Sequence, residues 1–298
     1  MSRILMLWPN VDEDIPSLIK EYYSDIVDIK NLYTPCNSFK RIIRKLLSIS
    51  KCSTEMFFDK WIYEVMKYDI IIIHANIINQ SVPKTLRKKG YNGRIIYWYW
   101  NPVSGSISPN RIDRNICELW SFDYDDCKKY NMKYNSTYYF KRLPIRESVS
   151  KTDVFFIGKD KGRYDKLNNF KKLIENLGFS TNFLIIKDKT SRGGVYSKSI
   201  PYTDVINFTK ESNCILEFLQ KEQSGMSLRV MESLFFKKKL ITDNNNLKDT
   251  KVYDIGNTYI IGSSSKEIDQ FMKEPIKPVD KSLLEYYDFE NWLNRFSR

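Results

Sequence analysis

The stretch YDIIIIHA, residues 68–75, decides the choice of fold class. It holds four consecutive isoleucines, so both faces of an extended chain would be apolar here. A strand with one face in water alternates apolar and polar residues, whereas a central parallel strand is covered by helices and is apolar on both faces. The stretch therefore predicts a central strand of a parallel sheet, with His74 at its carboxyl end.

Apolar runs and amphipathic segments alternate on both sides of this stretch. In the first half of the chain we predict strands at 3–8, 25–29, 68–75, 94–100, 117–122 and 136–140. Helical patterns lie between them, near Ile15–Tyr23, Phe39–Ser50, Glu55–Lys67 and Val82–Lys89. This alternation is typical of a doubly wound α/β domain.

The same alternation starts again after Pro144. Predicted strands lie at 152–158, 182–186, 213–218, 239–242 and 258–262, and predicted helices at Tyr164–Leu177, Thr203–Ser212, Leu228–Phe236, Ser264–Met272 and Leu283–Phe296. With 298 residues the chain has room for two domains. We predict an N-terminal Rossmann-like domain at 1–148, a C-terminal one at 149–280, and a terminal helix at 281–298 that packs back toward the N-terminal domain.

The composition indicates a soluble protein without a metal centre or a disulfide framework. The five cysteines form no CxxC pair, and His74 is the only histidine, which excludes a histidine-rich metal site. No apolar run approaches the roughly 18 to 20 residues of a membrane span. Since the first residues hold too short an apolar stretch for a secretion signal, we expect a cytoplasmic protein.

The net charge of +12 is spread over both halves of the chain. Such a surface favours polyanionic partners, namely nucleic acid, anionic lipid headgroups or a phosphorylated substrate. Abundant lysine, isoleucine, asparagine and tyrosine are also typical of an AT-rich genome, which would raise the lysine count without a functional cause. Both interpretations stay open.

A polar loop leads into a short helix in FLQKEQSGMSLRVMESLFFKKKLIT, residues 218–242. Ligands of open α/β sheets bind where such loops follow the carboxyl ends of strands. Gly225 allows a close backbone approach and Ser227 is suited to cap the helix, whose free N–H groups would hold a phosphate. Arg229 would add a charge-assisted contact, and the Glu232 carboxylate suits two ribose hydroxyls. We predict a nucleotide-binding loop made of Gln223, Ser224, Gly225, Met226, Ser227, Arg229 and Glu232; the alternative is a plain capped helix with a surface Arg–Glu pair.

A second strand-to-loop segment, FFIGKDKGRY at 155–164, lies in the same half. Gly158, Lys159 and Arg163 are expected to face the same ligand and to meet its diphosphate from the other side. The alternative for Gly158 is a simple tight turn. The segment matches neither the dinucleotide fingerprint nor the P-loop.

The order of these segments, with QSGMSLRVMES followed by the strand KKLIT, resembles the C-terminal domain of GT-B glycosyltransferases. It is similar in particular to bacterial enzymes that build capsule or lipopolysaccharide glycans, in which a G-x-[ST]-x-R-x-x-E segment binds the nucleotide sugar. Those positions are Gly225, Ser227, Arg229 and Glu232 here. The segments YWYWNPVS and LWSFDYDDCKKYNMKYN of the first half also resemble these enzymes, whereas WPNVDED at 8–14 lacks the glycine-rich turn that many of them have there.

The resemblance implies a GT-B-like α/β fold, two doubly wound Rossmann-like domains with a cleft between them. It implies an N-terminal domain for the acceptor and a C-terminal domain for a nucleotide-diphosphate sugar. The expected activity is hexosyl or related glycosyl transfer to a growing, lipid-linked surface polysaccharide, with no cofactor and no metal. Helix dipoles and cations such as Arg163 and Arg229 would stabilise the diphosphate leaving group.

An inverting transferase also needs a base for the acceptor hydroxyl, and a retaining one does not need it in the same place. Candidate bases follow first-half strands: Asp12, Glu13, Asp14, His74 and Asp123. His74 is equally suited to be a satisfied histidine at a strand end, and Asp123 and Asp125 to cap a helix. The DxD matches at 12–14 and 123–125 are weak metal signals in a chain with 36 acidic residues, so no metal site is predicted.

The segment NSFKRIIRKLLSIS, residues 37–50, has the pattern of a basic amphipathic helix. Its apolar face would carry Phe39, Ile42, Ile43, Leu46 and Leu47, and its basic face Lys40, Arg41, Arg44 and Lys45. Such a helix binds anionic membrane interfaces, which would hold the enzyme on the inner face of the membrane. The alternative is an ordinary domain helix with a solvated basic face.

Two other function classes remain as alternatives. A basic two-domain protein that grips nucleic acid is compatible with the charge, but no recognition motif of that class is present, and no nucleic acid is expected as a partner. A different nucleotide-dependent enzyme, an oxidoreductase, an epimerase or a polyol-phosphate transferase, is compatible with the fold class.

Overall fold

The computed structural model describes residues 2–144, 148–262 and 264–297. The chain divides into two compact units, Met1–Ser136 with Leu293–Arg298, and Thr137–Trp292. Each unit is built on one parallel sheet, so the predicted class of two doubly wound Rossmann-like domains is confirmed. The three-part division predicted at 148/149 and 280/281 stays a prediction. No helix of the described ranges is long and apolar enough to span a membrane.

The first unit contains a six-stranded sheet in the order β2-β1-β3-β4-β5-β6. Its strands are β1 (Ile4–Trp8), β2 (Asp28–Asn31), β3 (Ile70–His74), β4 (Arg94–Tyr99), β5 (Glu118–Ser121) and β6 (Lys133–Tyr134). Its helices are α1 (Asp14–Tyr22), α2 (Ser38–Ile49), α3 (Val82–Lys88) and α4 (Tyr124–Tyr130), with short 3₁₀ turns between them.

Strand β3 is the central strand that its four isoleucines predict. It pairs in parallel with β1 on one side and with β4 on the other. Ile71, Ile72 and Ile73 are fully buried. An all-apolar strand is stable only when both faces are covered, which explains its position in the middle of the sheet.

The second unit contains a five-stranded parallel sheet in the order β11-β10-β9-β7-β8. Its strands are β7 (Thr152–Lys159), β8 (Thr181–Ile186), β9 (Ser212–Glu217), β10 (Lys239–Thr242) and β11 (Thr258–Ile260). The helices are α5 (Tyr164–Asn176), α6 (Tyr202–Lys210), α7 (Leu228–Phe235), α8 (Lys251–Asp254), α9 (Ser265–Lys273), α10 (Lys281–Tyr287) and α11 (Phe289–Asn294), which runs past the end of this unit.

Both sheets have a point where the strand order reverses. In the second unit the chain leaves β7 toward β8 and returns to β9 on the other side of β7. In the first unit it leaves β1 toward β2 and returns to β3 on the other side of β1. The connecting loops diverge at such points, and the crevice they leave at the carboxyl ends is where open α/β sheets bind ligands.

The strand predicted at 136–140 is wrong. The segment is extended and buried, but it joins neither sheet. Its Tyr139 instead donates its N–H to Tyr287 O at 2.9 Å and accepts from Phe289 N–H at 2.8 Å, at the junction of α10 and α11. The Tyr138 ring packs on Trp292, with ring centroids 4.4 Å apart. The aromatic residues that gave the segment its strand pattern therefore pack against helices.

Two predicted helices are interrupted. The segment Glu55–Lys67 forms two 3₁₀ helices, Glu55–Phe57 and Lys60–Lys67, because Phe58 and Asp59 are extended and Asp59 caps the second helix through Lys60 N–H. The segment Leu283–Phe296 is broken at Asp288, which is also extended. In both cases apolar spacing predicts the packed face and misses an extended aspartate inside it: Asp59 caps the second 3₁₀ helix, and the Asp288 carboxylate accepts from Lys141 N–H at 2.9 Å.

Candidate functional site

The crevice at the strand-order reversal of the second unit contains a small cavity. It lies between the loop after β7, residues 160–163, and the loop after β9, residues 218–227. Its volume is about 120 Å³, room for a phosphate group but not for a whole nucleoside diphosphate. The charged and polar side chains that line it are Lys161, Arg163, Glu217, Gln220, Gln223, Ser227 and Arg229.

Arg163 ties the two loops together. Its guanidinium donates to Lys159 O at 2.7 Å, to Asp160 O at 3.2 Å, and to Phe218 O on the opposite loop. A Cβ on Gly158 would lie 3.5 Å from Nη2 of this guanidinium and 3.2 Å from the Phe156 ring, so glycine leaves room for both. Its hydrogen bonds are to carbonyls, and it forms no ion pair among the described residues. Burial lowers its pKa, and the acidic charges of Asp243 and Asp160 oppose that effect.

Asp160 holds the loop after β7 in place through hydrogen bonds. Its Oδ1 accepts from the N–H groups of Arg163 and Tyr164, both at 2.9 Å, and its Oδ2 accepts from Tyr196 OH at 3.0 Å. Burial raises the pKa of this carboxyl, but the hydrogen bonds, from Ser191 and Tyr196 first, outweigh burial and hold it below its usual value. An ionised Asp160 therefore holds the start of α5.

Lys161 is a cavity residue that the sequence analysis missed. Its N–H donates to Asp188 Oδ2 at 3.0 Å, and its ammonium group donates to Gln220 Oε1 across the cavity. Burial and then the neighbouring charges of Arg163 and Lys159 lower its pKa. The sequence KDKGR shows three alternating basic residues, at 159, 161 and 163. Which of them faces the cavity depends on the left-handed backbone at Lys161, φ 48°, which the sequence does not reveal.

The start of α7 forms the opposite wall of the cavity. Ser227 caps this helix, and its Oγ accepts from Arg229 N–H at 3.0 Å, as predicted. The preceding loop is held by Gln223 Nε2, which donates to Gly225 O at 3.2 Å, and by Thr137 Oγ1, which donates to Met226 O at 2.6 Å. The remaining free N–H groups of the first turn and the positive end of the helix dipole are suited to an anion.

Arg229 is oriented by a buried acid. Its Nη1 lies 2.6 Å from Glu232 Oε2, and only 16% of the Arg229 side chain is exposed. Tyr202 OH donates to Glu232 Oε1 at 2.8 Å, and the hydroxyl oxygens of Tyr202 and Tyr139 are 3.0 Å apart. This pair is not on the surface, so the simple surface-pair alternative is wrong.

Glu232 lies behind the cavity rather than in its wall. Burial raises the pKa of its carboxyl to about 6, against the opposing effects of Arg229 and Tyr202. Both carboxylate oxygens contact groups of this unit, which makes Glu232 a positioning residue for Arg229. The ribose contact inferred from the resemblance stays a prediction.

Glu217 is the second residue that the sequence analysis missed. It ends β9, is almost fully buried, and accepts from Thr242 Oγ1 at 2.5 Å. Burial raises its pKa, against the hydroxyl groups of Ser227 and Thr242. An acid that favours its neutral form is compatible with an anion site. The sequence shows only that a glutamate ends an apolar strand. The bend of the following loop, which is visible in the structure, places this glutamate in the cavity lining.

The strand-order reversal of the first unit carries an aromatic cluster. The rings of Trp8 and His74, at the ends of β1 and β3, have centroids 3.9 Å apart, and Trp100 lies 6.0 Å from His74. Burial lowers the pKa of His74 to about 3, and its buried Nε2 has no partner among the described residues. A general base works best with a pKa near the working pH, so His74 is a weak candidate base.

Two acidic candidate bases of the first unit, Asp12 and Asp123, have structural contacts. Asp12 is exposed and forms an ion pair with Lys20 at 2.8 Å. Asp123 is buried and caps α4, accepting from Asp126 N–H at 3.1 Å. Glu13 occupies the cap position of α1, and Asp125 lies in the first turn of α4. Within the described ranges no three His, Cys, Asp or Glu side chains gather as a metal-binding group.

Helix α2 has two apolar stripes instead of one. Ile43 and Leu47 pack against the core, whereas Phe39, Ile42, Leu46 and Ile49 are 69%, 58%, 60% and 44% exposed. Lys40, Arg41 and Lys45 are exposed, and the Arg44 guanidinium lies over the Tyr33 ring at 4.2 Å. The helix is therefore docked on one side and carries an uncovered apolar stripe with basic neighbours on the other.

Comparison with known proteins identifies the fold. No protein-family model and no curated protein matches the chain. Among solved structures, Anabaena Alr3699/HepE in complex with UDP and glucose is 9% identical with a TM-score of 0.55, covering 100% of this chain and 98% of that one. The lipopolysaccharide outer core galactosyltransferase WaaB, apo form, is 11% identical with a TM-score of 0.53, covering 99% and 98%.

A third similar structure has a different activity. The UDP-GlcNAc 2-epimerase of Methanocaldococcus jannaschii, in complex with UDP-GlcNAc and UDP, is 9% identical with a TM-score of 0.50, covering 100% of this chain and 99% of that one. At such identities the likeness concerns the fold, which is GT-B. One fold serves several chemistries, so function has to be argued from the site.

Proposed function

We propose that the protein is a glycosyltransferase that moves a sugar from a nucleotide-diphosphate donor to a glycan acceptor. The observation that carries the proposal is the cavity of the second unit, where Lys161, Arg163 and Arg229 meet the capped start of α7. Three cations and free helix N–H groups in a partly dry crevice match the charge of a diphosphate. The glycosyltransferase-like fold supports the same class of donor.

These residues would act mainly on the leaving group. Breaking the bond between the sugar and the diphosphate leaves negative charge on the phosphate oxygens. Cations that are fixed before the reaction stabilise that charge without reorganising. Arg163 is fixed by three carbonyls and Arg229 by Glu232, and this preorganisation is what such stabilisation requires.

The first unit is proposed to bind the acceptor, a growing surface polysaccharide linked to a lipid. Its crevice presents the rings of Trp8, His74 and Trp100, and aromatic faces are suitable stacking partners for sugar rings. The uncovered stripe of α2 with its basic neighbours supports a peripheral site on the inner face of a membrane.

Isothermal calorimetry with UDP, GDP and CMP, and then with their sugars, tests the donor site. We expect at least one nucleotide to bind the wild type, and Lys161→Ala and Arg229→Ala each to weaken that binding about tenfold, or about 1.4 kcal/mol, the size of one charge-assisted contact. The matched control is Lys266→Ala, which removes an exposed lysine of α9. Wild-type affinity in both cavity variants, or loss in the control, would contradict the site.

An epimerase is the second candidate, because the UDP-GlcNAc 2-epimerase shares the fold. The products separate the two activities. A transferase releases free nucleotide diphosphate in step with elongation of an added glycan acceptor. An epimerase converts the nucleotide sugar to its epimer without an acceptor, and nuclear magnetic resonance of the sugar protons detects that conversion directly.

A further inference from the structure

A second cavity, in the first unit, has no place in the donor chemistry. Its volume is about 490 Å³, and it lies between α3 and the segment 109–116. Five basic residues and one acidic residue line it, namely Lys51, Lys84, Arg87, Lys88, Arg111 and Asp113. Five positive charges less one negative charge leave a formal excess of +4 around one concavity.

The two arginines of this cavity are rigid. Arg87 donates to Tyr91 O at 2.6 Å, to Gly93 O at 2.8 Å and to Ile116 O at 2.9 Å. Arg111 donates to Gln80 Oε1 and to Ile49 O, both at 3.1 Å. These acceptors are neutral and hold both guanidiniums in place, and neither arginine forms an ion pair within the described ranges.

The three lysines are available to a ligand. Lys51, Lys84 and Lys88 are exposed, and none forms an ion pair within the described ranges. The acidic residue Asp113 already accepts from Asn115 N–H at 2.9 Å. A concave surface lined by one sign of charge focuses its field and concentrates ions of the opposite sign.

The cavity adjoins the end of the uncovered apolar stripe of α2. Arg111 donates to Ile49 O, Gln80 Nε2 donates to Ser48 O, and Lys51 lies two residues past the end of the helix. The stripe of Phe39, Ile42, Leu46 and Ile49 therefore leads to the basic cavity. An apolar stripe that ends at a cluster of cations matches the layering of a membrane interface, in which acyl chains lie beneath anionic headgroups.

We propose that this cavity binds the phosphate of an anionic lipid headgroup while the stripe of α2 inserts beside it. The proposal rests on the membrane association included in the proposed function, and it adds a defined lipid site to it. A free phosphate ion would use the cations alone and would have no use for the adjacent stripe. The apolar residues Pro83, Ile112 and Ile116 in the cavity lining suit the glycerol and upper acyl portions of a lipid.

Co-sedimentation with two kinds of vesicle tests the proposal, one of phosphatidylcholine alone and one of phosphatidylcholine with phosphatidylglycerol. The test variant carries Lys51→Ala, Lys84→Ala and Lys88→Ala, which leaves both structural arginines in place. The matched control carries Lys248→Ala, Lys266→Ala and Lys281→Ala, exposed lysines of the second unit that remove the same charge. Circular dichroism verifies that both variants are folded.

We expect the test variant to lose about 100-fold in partitioning to phosphatidylglycerol vesicles, since each cation near an anionic surface contributes roughly fivefold. The control should lose much less. Equal losses in both variants would show diffuse attraction and overturn the lipid site. No loss in the test variant, or no wild-type sedimentation at low salt, would overturn it as well.

Two further measurements separate the sources of phosphate and the two proposals. Binding of inorganic phosphate to the wild type by calorimetry, together with equal sedimentation of the wild type on both kinds of vesicle, would assign the cavity to free phosphate and overturn the lipid site. Nucleotide binding by calorimetry should be the same in the test variant and the wild type. Results that contradict the lipid site therefore do not contradict the donor site, and results that contradict the donor site do not contradict the lipid site.

Discussion

Among single residues, Glu232 shows how a buried acid can serve a cation that meets the ligand. Arg229 would be mobile on a surface helix, and orienting it at the moment of binding would cost side-chain entropy. The ion pair with Glu232 and the hydroxyl of Tyr202 fix it beforehand. This arrangement requires the Glu232 carboxylate to be buried away from water, and burial raises the pKa of that carboxyl.

The raised pKa of Glu232 predicts a pH-dependent stability. Its pKa is about 6 in the folded protein against 4.5 for an ordinary glutamate, so the folded state binds this proton more tightly. The free energy of unfolding should therefore fall as the pH rises from 4.5 to 6, by about 2 kcal/mol. Urea unfolding across this range measures it, and Glu232→Gln should remove that part of the slope. An unchanged slope in the variant would contradict the assignment.

Residue by residue, the sequence predicted one side of the cavity better than the other. Ser227 and Arg229 lie at the start of a helix that follows β9 after one loop, so their place beside the cavity follows from local rules for helix starts. Lys161 and Glu217 depend on where the chain turns between the two loops, and that turn is fixed by tertiary contacts to Asp188 and Thr242. Single-sequence patterns carry no information about such contacts.

Among the elements, α7 combines two functions at its capping residue. Ser227 satisfies a backbone N–H, and it lines the cavity. Changing the residue separates these roles, because aspartate is as good a cap as serine and adds a negative charge at a helix start, where the dipole favours it.

Ser227→Asp should therefore keep the helix cap and lose nucleotide binding. We expect a nucleotide affinity at least tenfold lower, because a carboxylate would occupy the place of a phosphate, and a folded protein whose midpoint of unfolding falls only by the lost hydroxyl contact to Glu217. The matched control is Asn37→Asp, the same change at the cap of α2, where Asn37 accepts from Lys40 N–H. Unchanged affinity in Ser227→Asp would remove the helix start from the site.

Helix α2 allows a similar separation of folding from surface attachment. Ile42 and Leu46 are exposed, so Ile42→Ser with Leu46→Ser should leave the free energy of unfolding nearly unchanged. The same double variant should lower partitioning to vesicles at least tenfold, since each inserted side chain contributes about 1 to 2 kcal/mol. The comparison is Ile43→Ser, which faces the core and should lower stability instead. Wild-type sedimentation of the double variant would make α2 an ordinary domain helix.

At the scale of elements, strand positions were predictable from apolar runs, because covering both faces of a strand requires them. The segment at 136–140 is as apolar as the strands, but it joins neither sheet. Its aromatic rings pack on the junction of α10 and α11, which is distant in sequence. Apolar content thus predicts burial, and it leaves the partner undetermined.

For the whole molecule, the placement of charge is more informative than its sum. The net charge of +12 alone is compatible with nucleic acid, lipid or a biased genome. The structure gathers part of that excess into two cavities, one at the strand-order reversal of the second unit and one beside α2 in the first. Each of these cavities is concave and basic, which suits a discrete phosphate-bearing ligand.

This distribution leads to a prediction about divalent ions. A nucleotide diphosphate needs counter-charge in the transition state, and many enzymes supply it with a bound metal. Here Lys161, Arg163, Arg229 and the start of α7 would supply about the same positive charge from the chain itself. We therefore expect sugar transfer, followed as release of nucleotide diphosphate in the presence of a glycan acceptor, to continue at the wild-type rate in EDTA. Activity that EDTA abolishes and manganese restores would show that these cations are insufficient, whereas Arg229→Ala that is inactive with and without manganese would show that they are required.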